Sequence, residues 1–265
     1  GGTIWIAWSE RDRQRPWEYR SNVYVARWNQ SESTWEMVGD HLDIRRSDDS
    51  HRPKITLDAS GQPTVAFVVE DLNGSSHVRV VDWTGSSLGW KRLGPQLSAD
   101  SEGSPIGLDF DPGGAPVVGW RSGYSLYFAK YRPEFDSWIS SWAPNLEGVA
   151  TGMTWRDGRP IVGVYDRGEF SVRLGASSNW TRLGGNSAPT PTGISAAGSL
   201  SVDRDGRPII AWLRYPDVHD LTAHVWRDEG WTALGRGPIE REIASDVSGV
   251  DVVTGNHDGL LGGGQ

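Results

Sequence analysis

The sequence predicts an all-β fold: a five-bladed β-propeller of four-stranded antiparallel blades, its ring closed by a C-terminal strand that completes the N-terminal blade. Three observations predict it. A short motif recurs five times along the 265 residues, a tryptophan follows each copy, and the first copy lacks a strand for which the C-terminal end carries a counterpart. Self-similarity at this period is the signature of radial repeat folds.

The motif is Gly-x-Pro followed by a short apolar run. It reads Gly61-Gln62-Pro63-Thr64-Val65-Ala66-Phe67 in one copy, and it returns at Gly114–Trp120, Gly158–Val164 and Gly206–Trp212, with Gly2–Trp8 as a fifth version. In all five the residue before the last apolar one is Ala or Gly, which suits a strand that a neighbouring sheet approaches closely. We call this strand B. Alternating segments before it form a strand A, from Pro53 to Asp58, Ile106 to Asp111, Thr151 to Trp155 and Leu200 to Asp205. Alternating segments after it form a strand C, from Val23 to Trp28, Val78 to Trp83, Leu126 to Tyr131, Phe170 to Leu174 and Ala223 to Arg227.

Strand D carries Trp35, Trp90, Trp138, Trp180 or Trp231, mostly followed by an apolar residue and Gly, as in Trp180-Thr181-Arg182-Leu183-Gly184. These tryptophans recur about every 49 residues, within the span of about 40–50 that four strands need. One residue type in one place of every copy is what a repeated core requires, so they read as structural. The first copy opens at strand B. Gly249 to Val253 with Asn256-His257-Asp258-Gly259 reads as the strand A it lacks, which closes the ring and removes its open edges. The expected blades cover roughly 3–48 with 249–259, 53–100, 105–147, 151–190 and 199–245, in a single domain over 1–265.

Composition agrees. Thirty-four glycines, fifteen prolines and fifteen tryptophans describe short strands and many turns. The net charge of −8 argues against nucleic acid as a partner. No apolar run reaches the roughly 18–20 residues that membrane insertion takes. With no cysteine there is neither a disulfide nor a thiolate site.

Several motifs have plainer readings than their chemical ones. The Asp/Gly stretches Asp58–Gly61, Asp157-Gly158, Asp203–Gly206 and Asp258-Gly259 could be calcium loops or sialidase-type Asp boxes, but they lie between strands A and B, lack the Trp of such a box, and read as hairpin turns. Gly85-Ser86-Ser87-Leu88-Gly89 matches a nucleophile elbow in spacing, yet sits between two strands rather than before a helix. His219 with Asp217, Asp220 and His224 reads as a solvated loop. Neither a metal nor a cofactor is expected. Asn29-Gln30-Ser31, Asn73-Gly74-Ser75 and Asn179-Trp180-Thr181 are sequons at chance frequency.

Divergence at the ends of the strands B gives the candidate site. While the strands repeat, Glu10, Glu70, Arg121, Asp166, Arg167 and Arg214 differ from copy to copy, and aromatics stand close by at Tyr124 and Tyr215, with Trp17 and Tyr19 in the Arg11–Asn22 insertion. Loops on a fixed scaffold carry changeable chemistry. The ligand-binding set is therefore Glu10, Glu70, Arg121, Tyr124, Asp166, Arg214 and Tyr215.

The unit Gly-x-Pro-apolar-apolar-Ala/Gly-Trp, then Val-x-Val-x-x-Trp, then Trp-x-x-Leu-Gly resembles the degenerate repeats of secreted bacterial propellers. In blade number it is similar to the tachylectin-like sugar-binding propellers. The resemblance implies a lectin-like module that takes a glycan or another small polar ligand, outside the cell or in the periplasm. The alternatives are a glycoside hydrolase or polysaccharide lyase using carboxylates such as Glu10, Glu70 and Asp166 at the channel mouth, or a protein-interaction platform. Hydrolysis needs two carboxylates about 5–10 Å apart.

Overall fold

A computed structural model describes residues 3–11, 21–42, 49–98, 104–123, 125–143, 146, 148–156, 159–166, 169–176, 179–188, 194–203, 205–214, 221–227 and 230–234. They form an all-β five-bladed propeller. The first sheet holds β1 (Trp5–Arg11), β2 (Ser21–Asn29) and β3 (Thr34–Met37), and the second holds β4 (Asp49–Leu57), β5 (Pro63–Glu70), β6 (Ser76–Trp83) and β7 (Trp90–Arg92), with β8 (Leu97–Ser98) also on β6. The third is β9 (Ser104–Phe110), β10 (Pro116–Ser122), β11 (Ser125–Arg132) and β12 (Ser137–Ala143). The fourth is β13 (Val149–Arg156), β14 (Arg159–Asp166), β15 (Glu169–Ala176) and β16 (Asn179–Ala188). The fifth is β17 (Ile194–Val202), β18 (Pro208–Arg214), β19 (Leu221–Arg227) and β20 (Gly230–Ala233). Every pairing is antiparallel and, apart from that of β8 with β6, joins chain neighbours, so each sheet is built as a meander. The segment 249–259, expected to complete the first sheet, lies outside the described residues.

The first strands of successive sheets, β4, β9, β13 and β17, pack side by side and are therefore the innermost. They begin earlier than alternation suggests: β4 starts at Asp49 rather than Pro53, and β17 at Ile194 rather than Leu200. The reason is a bulge in each, between His51 and Lys54 in β4 and between Ile194 and Gly198 in β17. A bulge breaks the two-residue period by which a strand is read. In β4 it carries Arg52 at φ 55°, a left-handed conformation uncommon for a side chain of that size.

The close approach expected of the Ala/Gly position is present where two sheets meet. A Cβ on Gly119 of β10 would run into the Met153 side chain of β13, and one on Gly107 of β9 into the Met153 carbonyl. The apolar clusters lie between blades. Val65, Phe67 and Val69 of the second sheet pack with Val23, Val25, Val38 and Leu42 of the first, while Val162 and Val164 of the fourth pack with Ile106, Leu126 and Ala143 of the third. Each strand B therefore turns alternate residues to the preceding and the following blade.

The turns joining strands A and B use one device. Asp58, Asp111 and Asp203 each accept two backbone N–H bonds, from residues two and four further on, at 2.8–3.0 Å. Gly61, Gly114 and Gly206 supply the positive φ that follows. Lys130 pairs with Asp111, and Arg207 with Asp203 and Asp205, so these carboxylates hold turns. Asp157-Gly158 and Asp258-Gly259 lie outside the described residues. The Gly85–Gly89 stretch is a hairpin between β6 and β7, closed by Thr84 N–H on the Gly89 carbonyl, and no helix follows it.

Candidate functional site

The second strands end together at one rim of the ring. Glu10 lies one residue before the end of β1, and Glu70, Asp166 and Arg214 are the last residues of β5, β14 and β18, with Arg121 next to last in β10. Aligning the repeats puts Glu10, Asp166 and Arg214 at one register position, which Val69 and Ser122 fill in the other two blades. Arg121 stands one residue earlier and Glu70 one later, so alternation sends these two to the opposite face. The rim is shared, but the five positions divide between the two faces of their sheets. Tyr124, Tyr215, Trp17, Tyr19, Arg167 and the residues 217–220 lie outside the described residues.

The densest chemistry among the described residues is in the second blade. Glu70 is the direct cross-strand partner of Asp49, and His51 stands two residues along β4. His51 Nε2 is 3.7 Å from Glu70 Oε1, and the Asp49 Oδ1 accepts the Ser21 backbone N–H of the first blade at 2.7 Å. Directly opposed residues of antiparallel strands have Cβ atoms about 4.5–5.5 Å apart, so two carboxyls and an imidazole share this small area. Burial lowers the His51 pKa, with Arg52 adding to that and Glu70 and Asp49 opposing it, which leaves the ring neutral and able to donate or accept at neutral pH.

Neighbouring acids do other work. Asp71 accepts the backbone N–H groups of Ser75 and Asn73 at 3.0 and 2.8 Å, and these bonds, the Ser75 one foremost, hold its pKa down. It closes the turn into β6, with His77 Nε2 4.0 Å away. Arg121 is half-buried, and its Nε is a buried donor without a hydrogen-bond partner among the described residues. No group of three or more His, Asp and Glu that could hold a metal occurs among the described residues. His224 is buried on β19, where desolvation lowers its pKa.

The divergence of strand ends singles out Glu70 but misses Asp49 and His51. They sit in the polar run Asp48-Asp49-Ser50-His51-Arg52, which reads as a linker until the bulge in β4 is known. The residue pattern that could have found them is the bare juxtaposition of Asp, His and Arg just before a strand.

No protein-family model matches the sequence, and comparison with curated proteins finds no match. Solved structures do match. A Bacteroides caccae protein of unknown function aligns with a TM-score of 0.52 at 14% identity, over 94% of this chain and 76% of that one. The Trypanosoma rangeli sialidase aligns at 0.60 and 11% identity, over 91% and 47%. The polysaccharide lyase Uly1 aligns at 0.51 and 11%, over 83% and 55%. The chain thus shares the propeller fold with sugar-active enzymes. It spans about half the length of the sialidase and lyase chains. None of these likenesses is specific to tachylectins, and fold by itself does not fix function. No helix among the described residues is long and apolar enough to cross a membrane.

Proposed function

We propose that the protein is a carbohydrate-active propeller of the glycoside-cleaving kind, working at the rim where the second strands end. The observation that carries the reading is the Glu70–His51 contact of 3.7 Å, with Asp49 directly across from Glu70. Cleavage of a glycosidic bond takes one carboxyl to protonate the leaving oxygen and a second to act as base or nucleophile. Glu70 serves as the acid–base group, with neutral His51 exchanging its proton. Asp49, oriented by the Ser21 N–H, is the second carboxylate. Arg121 brings a buried donor to the neighbouring blade's rim for substrate hydroxyls or a substrate carboxylate, while Glu10, Asp166 and Arg214 with Tyr124 and Tyr215 provide further subsites around it. The fold shared with a sialidase and a polysaccharide lyase supports an enzyme over a lectin. Polymeric glycans are met outside the cytoplasm, so this reading carries an extracellular or periplasmic location with it.

The test is Glu70→Gln against a panel of oligosaccharides. An amide cannot act as general acid or base, so turnover falls by about 10²-fold or more while binding holds within a few-fold. Unchanged turnover overturns the assignment. Absent turnover in the native chain, with sugar binding modestly weakened in the variant, identifies a lectin instead.

A further inference from the structure

The first two seams between blades share one contact. Trp90 of the second blade donates its indole N–H to the carbonyl of Val38 at the end of the first, at 2.9 Å, and Trp138 of the third donates to Leu93 of the second at 3.0 Å. The glycine after each acceptor makes the room. Gly39 at φ 74° lies so close that a Cβ would sit 3.0 Å from the Trp90 Nε1, and one on Gly94 at φ 59° would sit 2.8 Å from the Trp138 Nε1. The sequence unit is therefore two-sided: in Trp-x-x-Val/Leu-Gly, the Trp reaches back to the preceding blade while the Val/Leu-Gly receives the next one. Leu183 and Trp231 meet in one cluster at the fourth seam. Where the acceptor motif is missing, so is the bond. The third blade continues Trp138-Ile139-Ser140-Ser141 instead, and the Trp180 Nε1 is buried without a partner among the described residues.

Besides the buried Trp180 Nε1, one donor and one acceptor of this series are left over. Trp35, the first blade's version of Trp90, is 44% exposed, and Leu234, the fifth blade's version of Val38, is 40% exposed, whereas Val38 and Leu93 are buried. Trp35 is not isolated. By the register of β1, β2 and β3, its face also holds Ile4, Ile6, Trp8, Trp28 and Met37. Trp28 meets Trp35 edge-on at 5.3 Å, and Trp83 meets Trp90 at a tilt at 5.1 Å. Ile6 is 37% exposed where its equivalent Val65 is fully buried. The face has the composition of a seam.

We infer that the exposed face of the first sheet is the seat of the fifth sheet of the same chain, and that Trp35 closes the ring there by donating its indole N–H to the Leu234 carbonyl. The occupant follows from repeat equivalence: Leu234-Gly235 is the Val/Leu-Gly acceptor that the other seams leave unused, and it belongs to this chain. The contact is separate from the strand exchange expected of residues 249–259. It joins β3 to the strand end after β20, on the outer part of the ring, whereas a completing strand would lie beside β1 on the inside.

Because the chain has no cysteine, Met37→Cys with Leu234→Cys gives a specific pair for a short bismaleimide. Both changes leave the Trp35 indole and the Leu234 backbone carbonyl in place. In the full 265-residue chain the inference expects cross-linking within a monomer, and Trp35→Ala in that background slows it several-fold. Cross-linking only between copies, or none at all, overturns it. A second measurement does not depend on the reagent. Trp35→Ala lowers Tm by about 10 °C, as Trp90→Ala does, since emptying a large seated side chain is a core-sized loss, and the midpoint does not vary with protein concentration. A Tm within about 2 °C of the native value marks an unseated surface tryptophan and also overturns it.

Discussion

The first and second sheets present the same kind of face to whatever precedes them, and they differ in whether it is covered. On the second, Val65 and Phe67 are fully buried and Trp90 is hydrogen-bonded to Val38; on the first, Ile6 and Trp35 stand partly in solvent. The residue types are alike: Ile for Val, Trp for Phe, Trp for Trp. Burial in this fold is thus a property of the seam and not of the sheet, because a four-stranded blade has two apolar faces and can cover neither alone. That is why the clusters mix residues from adjacent blades, and why the chain's stability should respond most to changes at seams.

The largest effect expected of a seam change is that of Trp138→Ala, which removes a ring packed on the second blade together with its bond to the Leu93 carbonyl. Losses of about 3–5 kcal/mol accompany such truncations, and a urea melt measures this one. A loss under about 1 kcal/mol would mean that blades are held chiefly within themselves, and the comparison between the two faces would lose its meaning.

A glycine pair sharpens it further. Gly94 and Gly61 both have positive φ, at 59° and 80°, but a Cβ on Gly94 meets the Trp138 ring and a Cβ on Gly61 meets nothing within 4 Å. Alanine at Gly61 then reports the backbone cost alone, about 1 kcal/mol. Alanine at Gly94 adds the displaced ring, for about 2–4 kcal/mol in all. Equal losses in paired thermal melts would remove the cradle from the account of the seam.

The blades themselves were legible in the residues, because Gly-x-Pro turns and Trp-x-x-Leu-Gly strand ends are local signals that need no knowledge of neighbours. What lies across a seam was not. That Trp90 belongs to the core of the preceding blade, or that Asp49 faces Glu70, follows from bulges and from packing between segments tens of residues apart. Glu70 could be singled out as a point where copies diverge. His51, in a polar run that looked like a connection, becomes visible only once β4 is seen to start at Asp49. The part of all seven candidate ligand-binding residues in a site is a proposal, and two of them, Tyr124 and Tyr215, lie outside the described residues.

The smallest effect separates two seams of the same design. At the second seam the Gly94 N–H donates to Asp136 Oδ1 at 3.0 Å, and the Tyr131 hydroxyl donates to the same oxygen at 2.6 Å. No carboxylate receives the Gly39 N–H in the bonds described at the first seam. The Tyr131 bond, followed by the Gly94 bond, lowers the Asp136 pKa, and burial together with Asp136 pushes the Tyr131 pKa up to about 12. A carboxyl whose folded-state pKa is depressed stabilises the fold above its unfolded value near 4, and that contribution is lost as pH falls through the folded value. Asp136→Asn, which suits the left-handed φ of 44° at this position, therefore lowers Tm slightly at pH 7, and the difference shrinks as the pH falls below about 4 and the native carboxyl takes up its proton. Melting curves of the two proteins that run parallel from pH 7 to pH 2 would show that the Asp136 charge contributes nothing to the seam. Curves that converge below about pH 4 would give the second seam an acid-sensitive bond that the first, built on the same Trp and Gly, does not have.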